Sequence, residues 1–218
     1  MPKPLLVIGN KNYSSWSMRP WLALKHLGVD FDEVRIPLYT EGYKEKILGY
    51  SPSGKVPVYI EDGVTVWDSL SILEYLAEKH PSLWPADARA RAVARSVSAE
   101  MHSGFTAMRG SIFFNARARD RWVELGGNAV GDVERVLDIW DTCRGAYGKG
   151  GPWLFGEFTT ADAMYAPVAL RFNTYGIEPG GRPKAYVDTV LSDRYVREWI
   201  SAAEAEEEVI EEFEAGLV

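Results

Sequence analysis

The 218-residue sequence predicts two unlike parts in series, a small α/β unit followed by an all-α one. Three observations carry this reading. Strand-like and helix-like patterns alternate as far as Lys79. A proline-bounded break, Pro81-Ser82-Leu83-Trp84-Pro85, follows. Beyond it only helical periodicities occur. The expected units are residues 1–82 and 86–218.

In order, Leu5-Leu6-Val7-Ile8 reads as a buried strand stopped by Gly9-Asn10. From about Ser17, Trp21, Leu24 and Leu27 have helical spacing, and Gly28 is a natural C-terminal stop. Val34, Ile36 and Leu38 alternate as a second strand. A short irregular or helical piece, Tyr43 to Tyr50, leads to the turn Ser51-Pro52-Ser53-Gly54. Val56 to Ile60 and Val64 to Trp67 flank Glu61-Asp62-Gly63 as a hairpin. Asp68 then caps a helix with apolar positions Leu70, Leu73, Leu76 and Ala77. In the second unit, Val93, Val97, Met101, Phe105, Met108 and Ile112 make one long apolar stripe, and Val133, Val136, Leu137, Trp140 and Tyr147 a second. Further helices are expected after Thr159, near Lys184, and near Asp193 running into the glutamate-rich end.

Composition excludes several classes. At 46% hydrophobic and 25% charged, the chain has enough apolar surface to fold. Gly 20 and Pro 12 interrupt any long coiled coil. No apolar run approaches the ~20 residues of a membrane span. Seven glutamates between Glu204 and Glu214 equal the whole formal net charge of −7. A neutral body with an acidic end offers no basic footprint for nucleic acid or anionic lipid, so neither is expected as a partner. The single cysteine, Cys143, excludes an intrachain disulfide and fits a reducing compartment, with cytoplasm the expectation. His26, His80 and His102 share no metal-ligand spacing, so no metal is expected.

Four local features carry chemistry. Tyr13-Ser14-Ser15-Trp16-Ser17-Met18-Arg19-Pro20 lies between the first strand and helix. Pro20 suits a first helical turn, which puts Ser14 and Ser15 just before the helix N-terminus. N-capping accounts for them; so does a bound anion, stabilised by free hydroxyls and the positive helix end. In Gly54-Lys55-Val56-Pro57, the proline marks a strand start, or a cis bond that turns the Val56 backbone toward an extended ligand. In Asp68-Ser69, a helix cap and a site for an α-amino acid head share one geometry: Ser69 for the carboxylate, Asp68 for the ammonium. Thr159-Thr160-Ala161-Asp162 is a capping box, a folding signal.

In this order and spacing these motifs resemble the cytosolic glutathione transferase superfamily over nearly the whole chain. The Ser-Ser-x-Ser-x-Arg stretch at 14–19 is most similar to the serine-type zeta branch, the maleylacetoacetate isomerase-like one, although Trp16 stands where that branch has cysteine. The resemblance implies a thioredoxin-like N-terminal domain and an all-helical glutathione transferase C-terminal domain, usually in a homodimer. It implies a catalytic hydroxyl at Ser14 or Ser15, with Tyr13 ranked behind them. It implies a cis-proline at Pro57 and glutathione held by Lys55, Val56, Asp68 and Ser69.

The expected function is an enzyme that activates the glutathione thiol for attack on a small electrophile, by conjugation or isomerisation. The alternative is a non-catalytic ligand-binding or protein-interaction module. The electrophile pocket is expected between the two units, with moderate apolar preference, lined by Tyr13, Met101, Phe105, Met108 and Arg109, although Met101, Phe105 and Met108 fit the core of the helical bundle at least as well. A buried Arg109 needs a partner, either a substrate carboxylate or an acidic neighbour. The acidic tail reads as a solvated helix face far from the first unit, so removing Ile210–Val218 should leave glutathione affinity nearly unchanged.

Overall fold

The computed structural model describes residues 3–216. Its strands β1 (Leu5–Ile8), β2 (Asp32–Arg35), β3 (Val58–Glu61) and β4 (Val64–Trp67) form one sheet in the order β2-β1-β3-β4. β2 runs parallel to β1, with Val7 opposite Val34; β3 and β4 are antiparallel, with Val58 opposite Trp67. The central position of β1 explains its unbroken apolar run, since both its faces are covered. Leu6 and Ile8 point into a core with Met18, Trp21 and Leu22 of α1 (Ser15–Leu27) and Ile72, Leu73 and Leu76 of α3 (Ser69–Lys79). Val7 points the other way, to Ile36, Val58 and Ile47 of α2 (Tyr43–Leu48). Each such buried side chain contributes about 1.5–3 kcal/mol.

The second part holds α4 (Ala88–Ser103), α5 (Thr106–Ser111), α6 (Gly127–Tyr147), α7 (Thr160–Thr174), α8 (Gly181–Ser192) and α9 (Arg194–Glu204). α7 is buried on nearly every side and packs against α1, α4 and α8. It therefore joins the helical part to the sheet-bearing part. Asp162 fixes its start: its carboxylate accepts the Thr159 N–H at 2.8 Å and the Leu154 N–H at 3.0 Å. Burial outweighs these bonds and pushes the Asp162 carboxyl up to about 6.

Five expectations are corrected. The stripe from Val93 to Ile112 is two helices, because Phe105 adopts φ 56° and Gly104 is extended. A Cβ at Gly104 would lie 2.7 Å from the Glu100 carbonyl, so only glycine closes α4 this way. Pro20 sits in the second turn of α1, which starts at Ser15; its missing N–H costs the Trp16 carbonyl its helical partner. β2 ends at Arg35, leaving Ile36 and Leu38 beyond it, because Pro37 cannot continue the ladder. Met101, Phe105 and Met108 belong to the core and do not line the interdomain cleft. Lastly, α9 stops at Glu204, and the acidic end is no solvated helix face.

That tail folds back onto the first part. Glu206 is 8% exposed, and its carboxylate accepts the N–H groups of Lys11 (2.7 Å) and Asn12 (3.0 Å) in the β1–α1 turn. Glu214 accepts the Tyr13 hydroxyl at 2.6 Å. Consecutive glutamates repel one another along a helix, whereas here they meet unpaired backbone N–H groups and arginines. The expectation that residues 210–218 lie far from the first unit is overturned for the described part of the tail.

Candidate active site

A cleft of about 860 Å³ opens where the β1–α1 turn, α2 and the Ser53–Val56 loop face α5, α7 and the tail. Tyr13, Ser14, Ser15, Lys55, Val56 and Arg109, all singled out in the sequence, line it. Pro57, Asp68 and Ser69 lie outside its lining.

The floor of the cleft is the N-terminus of α1. Ser14 is its N-cap, with Oγ accepting the Ser17 N–H at 3.3 Å. Ser14 Oγ and Ser17 Oγ are 2.7 Å apart, and Ser17 Oγ accepts the Gly9 N–H at 3.1 Å. If the Ser17 hydroxyl donates to Ser14, the Ser14 proton is free to point into the cleft. Ser15 Oγ has no hydrogen-bond partner among the described residues and also faces the cleft. Capping and anion stabilisation are therefore compatible: Ser14 does the first with its lone pair, and with Ser17 as the donor its own proton is left for the second.

Tyr13 is differently committed. Its hydroxyl donates to Glu214 and accepts from Arg117 Nη2 at 3.1 Å. Burial, then the Glu214 bond, holds its pKa above the ordinary tyrosine value. That proton is spoken for.

Val56–Pro57 is cis, and Val56 has no backbone hydrogen bond among the described residues. Asp68 adopts φ 73°, a conformation that costs a non-glycine residue free energy and concentrates at functional positions. Its Oδ1 accepts the N–H groups of Leu70 and Ser71, and its Oδ2 lies 3.3 Å from His102 Nε2. Ser69 Oγ accepts from Arg19 Nη1 at 3.3 Å, which leaves the Ser69 hydroxyl proton for another acceptor. Arg19 is stacked on Trp16, 4.2 Å from the ring centroid, so Asp68 and Ser69 connect to the cleft wall through Arg19 and Trp16.

The opposite wall is cationic. Arg109 lies 5.1 Å from the Trp16 ring, and its Nη1 reaches the carbonyls of Met101 and His102 at 3.5 and 3.4 Å. Arg171 donates to the Ile112 carbonyl and stands over Phe114. Burial, then Arg109, lowers the Arg171 pKa to about 9; burial, then Arg109 and Arg171, does the same to Arg19. Among the described residues neither Arg109 nor Arg171 has a carboxylate within ion-pair distance. Sequence reasoning missed Arg171, Phe113, Tyr39 and Phe213, all in the lining. Arg171 had a visible signal: it is the single cation in the apolar run from Ala163 to Phe172.

A four-stranded sheet domain docked on a helical one, with hydroxyls at a helix N-terminus opening on the cleft between them, defines a two-domain α/β plus all-α class with a ready-made anion site. The comparisons specify the family. Residues 13–79 match the family described as glutathione S-transferase, N-terminal domain, and residues 86–202 its C-terminal domain. The maleylacetoacetate isomerase of Mus musculus is 36% identical over 182 residues, 81% of each chain. That of Rattus norvegicus is 30% identical over the same share. In fold, a glutathione transferase homologue from Burkholderia with bound glutathione superposes with a TM-score of 0.71 at 23% identity, covering 94% of this chain and 100% of that one. The chain belongs to the glutathione S-transferase family, on its zeta-like side, and glutathione is the co-substrate.

Proposed function

We propose that the protein ionises the glutathione thiol at Ser14 and directs it at a small electrophile that carries a carboxylate, in conjugation or in glutathione-dependent isomerisation. The observation that carries this reading is the pairing, in one cleft, of the Ser14 hydroxyl on the α1 N-terminus with Arg109 and Arg171, neither of which has a carboxylate within ion-pair distance among the described residues.

A free thiol has a pKa near 8.5, so only a few per cent is thiolate at pH 7. Making thiolate the majority form needs a fall of about two units, roughly 3 kcal/mol. A hydroxyl donating to sulfur supplies about 1.5–3 kcal/mol, and the helix end about 0.3–1 kcal/mol. The two suffice together, and Ser14 stays protonated throughout. Ser15 is the second donor available. Val56 offers the peptide a backbone unpaired among the described residues, Lys55 a nearby cation, Asp68 a partner for the ammonium and Ser69 one for the carboxylate of the γ-glutamyl group. Arg171 and Arg109 hold the electrophile's carboxylate, as the isomerase relatives' name suggests for an acidic substrate. The moderate apolar preference expected from sequence is thus reassigned to the aromatic side of the cleft. The exposed Val64 and Trp67 on edge strand β4 support a homodimer, and a cytoplasmic, detoxifying enzyme fits this chemistry.

Retention on immobilised glutathione, followed by a thiol-conjugation assay, tests the reading. Binding with turnover is expected; binding without turnover would favour a ligand-carrying module instead.

A further inference from the structure

The tail is built into the cleft at two anchor points. At the first, Glu206 caps the Lys11 and Asn12 N–H groups, and Arg117 donates to the Glu206 and Glu208 carbonyls at 2.5 and 3.2 Å. At the second, Glu214 gathers four groups. Its Oε1 accepts from Tyr13 (2.6 Å) and Asn115 Nδ2 (2.9 Å), its Oε2 from Arg121 Nη2 (2.6 Å), and Arg117 Nη2 lies at 3.8 Å. Between these anchors the chain makes one 3₁₀ turn, Glu211–Phe213. That turn sets the Phe213 ring into the cleft lining, 5.9 Å from Tyr13, 5.9 Å from Tyr39 and 5.3 Å from Phe113. Tilted and edge-on contacts of this kind fix a ring in place.

We propose that Phe213 is a specificity-determining residue of the electrophile pocket, and that Glu214 is the latch that holds it there. With Tyr13, Tyr39 and Phe113 it makes one aromatic wall; Arg109 and Arg171 make a cationic one. Such a pair of walls selects a flat, unsaturated body joined to an acid. This inference rests on the reading of the cleft as the electrophile site and refines its substrate class. Because the tail touches Tyr13, Tyr39 and Phe113 and, among the described residues, makes no hydrogen bond to Lys55, Val56 or Ser69, the effect falls on the electrophile and spares glutathione.

The test uses the full chain and anilinonaphthalenesulfonate, a flat aromatic anion, titrated by fluorescence. Glutathione affinity is measured in parallel by calorimetry. Phe213→Ala is expected to weaken probe binding about tenfold, and Glu214→Ala, which keeps the ring but frees it, by several-fold. Phe213→Trp keeps the wall and is expected to retain binding. Glutathione affinity stays within about twofold throughout. Probe binding unchanged in Phe213→Ala, a parallel loss of glutathione affinity, or a parent protein that does not take up the probe would each overturn the proposal. A parent that binds the probe but not glutathione would instead overturn the proposed function and leave the aromatic wall standing.

Discussion

Replacing Arg171 by methionine separates what the residue does for the fold from what it does for the substrate, because the two effects have opposite signs. Burial lowers the Arg171 pKa from 12.5 to about 9. A shift of that size corresponds to about 5 kcal/mol of native-state cost in keeping the group charged. Methionine removes that cost while filling similar volume. Against it stand an unpaired Ile112 carbonyl, about 1–3 kcal/mol, and the lost contact with Phe114, about 0.5–2 kcal/mol. The balance lies between about zero and a net gain of about 3.5 kcal/mol, so the melting temperature is expected to hold or to rise by up to roughly 10 °C for a chain of this size. On the substrate side, losing a charged hydrogen bond of about 1.5–3 kcal/mol lowers kcat/KM for an acid about 10- to 150-fold. Calorimetric melting gives the first quantity. Turnover of phenylbutenone and its ring carboxylate gives the second, the loss being confined to the carboxylate. A melting temperature that drops by several degrees, or equal losses on both substrates, would show that Arg171 is a structural residue and refute the reasoning.

Two other consequences are direct. Tyr13→Phe is expected to leave the pH profile of turnover where it was, because the Tyr13 proton is given to Glu214; a profile moved toward high pH would transfer thiol activation to Tyr13. Asp162 has a folded-state pKa raised from 3.8 to about 6, so the native state binds the extra proton, and stability from this group is fully present below pH 4 and lost as pH rises through 6. Between those limits the parent is expected to gain about 3 kcal/mol on acidification relative to Asp162→Asn. Parallel melting curves against pH for the two proteins would contradict it.

The elements that local rules govern were legible. Leu6, Val7 and Ile8 are fully buried as the run of apolar residues required, and Asp68 caps α3 through its carboxylate as its residue type favours, though from an unusual φ of 73°. Ser14, Ser15, Lys55 and Val56, which stand in the motifs, and Arg109, which stands on the helical stripe, line one cleft from three separated stretches of chain. What failed were features set by tertiary contact. Helical periodicity runs straight through Phe105, and only the close approach of Gly104 to the Glu100 carbonyl reveals the break. Met101 and Met108 have the same apolar pattern whether they face a cleft or a core, and packing put both in the core. The tail misled most: a run of glutamates looks like a solvated face until the N–H groups of Lys11 and Asn12 and the guanidiniums of Arg117 and Arg121 are seen to receive it. Those partners lie about a hundred or two hundred residues upstream. No local pattern encodes such a pairing.

The pKa of the glutathione thiol in the complex tests the central claim most directly. It is read from the ultraviolet absorbance of the thiolate as pH is raised, for the parent protein and for Ser14→Ala. The account predicts half-ionisation about two units below the free value of 8.5 in the parent, and a return most of the way to it in Ser14→Ala while glutathione stays bound. A bound thiol that ionises at the same pH in both proteins would contradict it.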